Sequence, residues 1–220
     1  MNWLYIIDNL PKFFDASLIT LQLAFWSILF SLFIGIICAI ITSYQIRFLN
    51  PIVQVYIELS RNTPLLIQLF FLYFGLSKLG IHLDGMTCAI LGLTFLGGSY
   101  MAEAFRAGIE SIHKGQIESA LSLGLTSSQT FIYVIFPQAF TVAIPAIGAN
   151  CLFLIKETSI ASAIAIAELM FMAKELIGLD YKTNEALFLL VLFYLIILLP
   201  ISISIHHLEK RTGYAKYGSR

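Results

Sequence analysis

The sequence predicts an all-α fold: a polytopic membrane protein of five transmembrane helices, with one short cytoplasmic helix between the third and the fourth. Three observations predict it. Hydrophobic residues make up 59% of the 220 and charged residues only 12%, against roughly a quarter charged in an ordinary soluble domain, and mean hydropathy is +0.87. The charges are clustered, so that uncharged intervals as long as a membrane span lie between them. The one long polar insert among those intervals carries its own helix stop and start signals. The whole chain, 1–220, reads as a single membrane domain.

A bilayer core of about 30 Å takes about 20 helical residues at about 1.5 Å each. Between Asp15 and Arg47 stand 31 uncharged residues, which places span one at 17–43. Span two is expected over 52–77. Only 16 uncharged residues separate Arg61 from Lys78, so this span begins upstream, carries Glu58 and Arg61, and is expected to kink or break at Pro64. Span three covers 85–105, built on the uncharged interval 85–102 between Asp84 and Glu103. From Ser119 to Ile155 there is no charge, but Gly124, Thr126, Pro137 and Pro145 punctuate the stretch, which sets span four at 131–155. Span five covers 186–208.

An odd number of spans puts the termini on opposite sides, and Lys and Arg mark the cytoplasmic one. Placing the tail inside gathers Arg47, Arg106, Lys114, Lys210, Arg211, Lys216 and Arg220 there, against Lys12, Lys78, Lys174 and Lys182 outside. The N-terminus is therefore expected outside and the C-terminus in the cytoplasm. The first 18 residues lack a basic segment and a small-residue cleavage site, so the first apolar segment is expected to stay in the mature protein.

The polar insert, 106–130, is expected to be helical and solvated. Glu103 with Arg106 and Glu110 with Lys114 form i,i+3 and i,i+4 pairs that would continue the third span as a helix, ending at Gly115. Ile117, Ala120 and Leu121 then share one face opposite Glu118, Ser119 and Ser122, and Gly124 suits the left-handed residue that closes such a helix. Thr126 and Gln129 fit a capping box that launches the next span. This short helix is either a docking peg for a soluble partner or a loop helix resting on the membrane.

Two charged islands lie within apolar stretches. Glu58, Arg61 and Asn62 sit near the cytoplasmic end of span two, as functional groups or as a snorkelling pair in which Glu58 and Arg61 offset each other. Lys156, Glu157, Thr158 and Ser159, followed by Glu168, interrupt the end of span four. They line a water-filled pathway for a zwitterionic solute, cap the outer end of the span, or pair elsewhere in the bundle.

Other chemistries find no support. With zero formal net charge there is no basic excess for nucleic acid. No phosphate-binding Gly-rich loop, zinc-protease motif or nucleophile elbow occurs, so no catalytic residue and no metal site are expected. Cys38, Cys88 and Cys151 lie in apolar runs and read as buried thiols, and the four histidines as interfacial or solvated. A carrier or channel that needs no ATPase would explain the spans and charges, but not the capped insert.

The segment ESALSLG, followed after a spacer by IFP, resembles the EAA-loop signature of the membrane subunits of ABC importers. Glu118, Ala120 and Gly124 stand at that signature's Glu, second Ala and Gly; Ile135 and Pro137 stand at its closing end, and Ser119 replaces its first Ala. RNTPLLIQLFFLYFG, YMAEAFRAGIESIHKGQ and LIKETSIAS resemble recurring segments of the polar amino-acid branch. The resemblance implies a permease in a bacterial inner membrane, surrounded by lipid, that pairs with itself or a relative. It implies separate cytoplasmic ATPase subunits that hold the ATP and magnesium, so that no cofactor is bound here, and an extracytoplasmic amino-acid-binding protein. On this reading Gln116, Ile117, Glu118, Ala120, Leu121, Gly124 and Pro137 form the ATPase-coupling helix and its supports. Lys156 would meet a substrate carboxylate.

Overall fold

A capped start, rather than the first uncharged residue, sets the beginning of α1 (Trp3–Ser43): the Asn2 side chain accepts the Tyr5 N–H at 3.2 Å. The helix is therefore 41 residues long, about 60 Å at 1.5 Å per residue, and exceeds a bilayer of about 40–45 Å. Its first turns carry the exposed Asp8, Lys12 and Asp15. Absence of charge limits what can sit in lipid, not what can be helical, so 17–43 underestimates the helix. This computed structural model describes residues 1–211; Lys216 and Arg220, two of the tail cations, lie outside the described residues.

The interval 52–77 is divided between α2 (Asn50–Asn62) and α3 (Leu65–Lys78). Pro64 has no N–H to continue the ladder and forces the preceding residue out of the helical region, and Thr63 is extended at φ −114°, ψ 132°. The freed carbonyls are taken up locally. Thr63 donates to the Leu59 carbonyl at 2.7 Å, and the Gln68 amide reaches the Ser60 and Thr63 carbonyls at 3.1 Å. A π turn at Phe71–Gly75 widens α3 near its far end.

The central helix is α4 (Gly85–Glu110), started by Asp84, whose carboxylate accepts both the N–H and the hydroxyl of Thr87. Those bonds hold Asp84 below the usual carboxylate range. Small residues let α1 lie almost backbone-to-backbone on α4. A Cβ on Gly35 would come within 2.9 Å of the Met101 carbonyl carbon, and one on Gly97 within 2.3 Å of the Ser31 hydroxyl.

Next come α5 (Lys114–Ser122) and α6 (Ser127–Ile164). A π turn at Phe131–Ile135 precedes Pro137 in α6, and Thr158–Ile164 tightens into a 3₁₀ helix that stops at Ala165, left-handed at φ 60°. Beyond that break, α7 (Leu169–Asp180) is too short to have been read as a span, and α8 (Thr183–Arg211) completes the bundle. Among the described residues four helices, α1, α4, α6 and α8, are long and apolar enough to cross a membrane.

Three apolar clusters result among the described residues, the smallest made of Cys38, Val53, Ile57 and Ala102. Leu23 and Ala39 of α1 pack with Leu65 and Leu69 of α3, Leu93 and Met101 of α4, and Leu154 of α6. Phe13 of α1 packs with Leu169 and Leu176 of α7 and Leu189 and Phe193 of α8. Phe25, Phe33, Val191, Ile196 and Leu199 stay exposed on α1 and α8, as faces toward lipid require.

Candidate functional site

The α5 loop is built from contacts within a few residues. The Gly124 N–H donates to the Leu121 carbonyl at 3.0 Å and the Leu125 N–H to the Ala120 carbonyl at 3.2 Å, a Schellman closure that needs the left-handed Gly124, at φ 85°. The expected capping box is present. Thr126 N–H donates to Gln129 Oε1 at 2.9 Å, and Gln129 N–H to Thr126 Oγ1 at 3.3 Å.

Two details of the loop differ from expectation. The helix of span three stops at Glu110, and Gly115 lies in the first turn of α5 rather than ending α4. Lys114 consequently leaves the face of Glu110, which pairs with Arg106 at 2.8 Å instead. Of the three apolar α5 positions, Ala120 is buried and Ile117 half-buried, while Leu121 is 46% exposed. Gln116, Glu118 and Gly124 are exposed, as is Pro137 at the base of α6. A hollow of about 400 Å³ beneath α5 is lined by Gly115, Gln116, Ser119, Ala120, Leu125 and Val134 among others.

The second cluster lies where α2 and α3 meet α4. Glu58 and Arg61 do not offset each other: Glu58 accepts from the Asn62 amide at 2.8 Å, and Arg61 reaches across to α4. Its guanidinium lies 3.8 Å from Glu103 and 5.2 Å from the centroid of the Tyr100 ring. Offered a charged partner and an aromatic face on the neighbouring helix, Arg61 gains more there than from an exposed i,i+3 pair. Glu103 is held at 2.8 Å by Arg106.

The third cluster is the break between α6 and α7. Lys156 is exposed, Glu157 and Ser159 are half-buried, and Thr158 is fully buried with its hydroxyl on the Ile155 carbonyl at 2.7 Å. Glu168 is also fully buried, and its carboxylate caps α7, accepting the Met170 N–H at 2.9 Å and the Phe171 N–H at 2.8 Å. A carboxylate at a helix N-terminus satisfies orphan donors and meets the positive end of the dipole. The first half of α3 packs on the 3₁₀ segment of α6, so the two interrupted helices meet. Irregular backbone at membrane depth is tolerated where protein buries it or where it lines a water-filled cavity.

Several contributors were not singled out from sequence. Thr20 of α1 accepts the Leu169 N–H at 3.3 Å. Tyr194 of α8 sits beside Glu168, Thr158 and Ser159, although its hydroxyl completes no hydrogen bond of normal geometry. Asn150 donates to the Tyr100 carbonyl at 3.1 Å. Asn150 and Gln68 are lone amides in apolar runs, a signal as readable as the charges. Among the described residues no group of three His, Cys, Asp or Glu could hold a metal.

Comparisons with known proteins agree with this architecture. Residues 31–214 match the family described as the inner membrane component of binding-protein-dependent transport systems. A probable glutamine ABC transporter permease of Bacillus subtilis is 35% identical over 96% of this chain and 98% of its own. The glutamine transport system permease of Escherichia coli is 32% identical over 96% and 97%. The crystal structure of an amino acid ABC transporter with histidines superposes with a TM-score of 0.89 at 31% identity, covering 96% of this chain and 99% of that one. The capped loop helix, the interrupted helices and these likenesses together place the chain in the family of binding-protein-dependent inner membrane transport components, as a multi-pass permease subunit of an ABC importer rather than an enzyme.

Proposed function

We propose that this permease carries a polar amino acid inward by alternating access, as half of a pair made with a second copy or a close relative. The observation that carries the reading is polarity on the wrong surface. Lys156, Glu58, Arg61 and Asn62 are exposed on the isolated chain, in helices whose outward residues include Ile52, Val55, Leu59 and Phe140. A charge facing lipid would cost about 3 kcal/mol on insertion scales, so this face belongs against a second permease and the water between the two. Relatives named as glutamine permeases support the amino-acid assignment.

Lys156 meets the solute carboxylate. Glu157, Thr158 and Ser159 complete the polar lining, and Glu58, Arg61 and Asn62 continue it toward the α5 end. Glu168 shapes the lining from behind by capping α7. Cytoplasmic ATPases, which hold the ATP and magnesium, seat Gln116 to Gly124 and drive the motion, with Glu118 and the Gly124 turn fixing the geometry and Pro137 at the base of α6. An extracytoplasmic binding protein delivers the solute. The chain crosses the membrane five times if α2 and α3 act as one broken crossing, with the N-terminus outside and the C-terminus in the cytoplasm. The test is K156A in the assembled transporter: uptake and solute-stimulated ATPase are expected to fall about tenfold or more, the scale of one charge-assisted contact. Unchanged values for both would remove Lys156 from the pathway.

A further inference from the structure

We propose that Arg61 is a second carboxylate station, which takes the solute's carboxylate in exchange for Glu103. The inference rests on the reading that an amino acid travels along Lys156. At 3.8 Å the Arg61–Glu103 contact is an ion pair without a hydrogen bond, and the Arg61 side chain is 41% exposed. Breaking it is therefore inexpensive.

Glu103, by contrast, does not depend on Arg61. Both of its oxygens already accept from Arg106, at 3.3 Å to Nε and 2.8 Å to Nη2. When Arg61 turns to another carboxylate, Glu103 keeps a two-point partner and Arg106 keeps Glu110. The Tyr100 ring, 5.2 Å from the guanidinium, holds Arg61 in place without using any of its five donors.

The position suits a relay. The Asn150 amide on the Tyr100 carbonyl sets residue 150 of α6 level with residue 100 of α4. Lys156 lies six residues beyond Asn150, about 9 Å along the helix at 1.5 Å per residue. Tyr100 also touches Phe153, with ring centroids 5.3 Å apart, and Lys156 follows Phe153 by one turn. Arg61, Tyr100 and Asn150 thus stand one step from Lys156 toward the α5 end, within reach of a solute that has just left Lys156. A planar fork matches a carboxylate in two bonds, which an ammonium does not.

The test uses the permease with its ATPases and binding protein in proteoliposomes, a radiolabelled mixture of the common L-amino acids as the probe, and solute moved per ATP hydrolysed as the readout. R61Q is expected to lower that ratio about tenfold, the scale of one lost charge-assisted contact, with R61K recovering to within about threefold of wild type. Because R61Q alone removes one member of a pair, the double variant R61Q/E103Q, which removes both charges, checks folding and is expected to fall like R61Q. A wild-type ratio in R61Q, or in the assembled double variant, overturns the proposal. So does a defect seen only with phosphatidylglycerol in the bilayer and absent in phosphatidylcholine, which assigns Arg61 to lipid phosphate. If K156A is impaired while the Arg61 variants are not, the second station alone fails; if K156A is normal too, the pathway reading fails with it.

Discussion

The α5 loop and the α6–α7 break both interrupt long apolar helices; both are closed by local bonds, but the break adds a long-range partner that the loop lacks among the described residues. In the loop every closing bond spans five residues or fewer: Leu125 to Ala120, Gly124 to Leu121, Thr126 with Gln129. At the break, Ala165 to Ser162, Ile166 to Ala161 and Glu168 with Met170 and Phe171 are equally local, but Leu169 finds its acceptor in Thr20, 149 positions away. Solvent explains the difference. Water completes whatever a short local motif leaves open, whereas at membrane depth each freed backbone group needs a protein partner, and partners come from wherever the fold brings them. The loop can therefore move as a small rigid peg, while the break is only as ordered as the bundle around it.

The largest effect expected separates the scaffold from the loop. Gly35 faces Met101 and Ala102 backbone that cannot step aside, with the Ala102 nitrogen 3.0 Å from where its Cβ would stand, whereas Gly115 in α5 has nothing within 4 Å. G35L is expected to abolish the monodisperse permease peak on size-exclusion chromatography, by overpacking of about 1–3 kcal/mol or more. G115L should keep the peak. A folded G35L would show that α1 and α4 need not lie so close.

Next in size is the cap of the break. E168A removes the acceptor for two backbone N–H groups in a fully buried site, at a cost of about 2 kcal/mol. That corresponds to roughly 4–8 °C in the melting temperature of a chain this long. E168Q keeps an acceptor oxygen and should lose about half as much. If E168A melted with the wild type in detergent, the break would be held by packing alone.

Legibility followed the same division. The loop could be read nearly residue by residue because Gly124, Thr126 and Gln129 act on their own neighbours; the stop at Glu110 was misplaced, since Gly115 looked like the stronger terminator, and Leu121, expected on the apolar face, is exposed. Pro64 likewise announced its break. Charge counting left the first turns of α1 unread, since Asp8, Lys12 and Asp15 ride on a helix that extends past the bilayer. It also missed α7, twelve residues that make sense only once Glu168 caps them and α8 covers them. Arg61 was assigned the nearer partner, Glu58; that α4 presents Tyr100 and Glu103 at the same level is a fact of helix packing that no local spacing encodes.

The smallest expected effect tests locality itself. T126A removes one capping acceptor from an exposed loop, worth about 1 kcal/mol. If the loop is self-contained, this appears as roughly fivefold faster hydrogen exchange at the amides of 127–130, with the α7 amides of Met170 and Phe171 unchanged. E168A should give the converse pattern, deprotecting α7 and leaving the loop alone. Faster exchange at both sites in T126A would mean that the loop leans on the bundle after all, and that the α5 peg and the membrane break yield together.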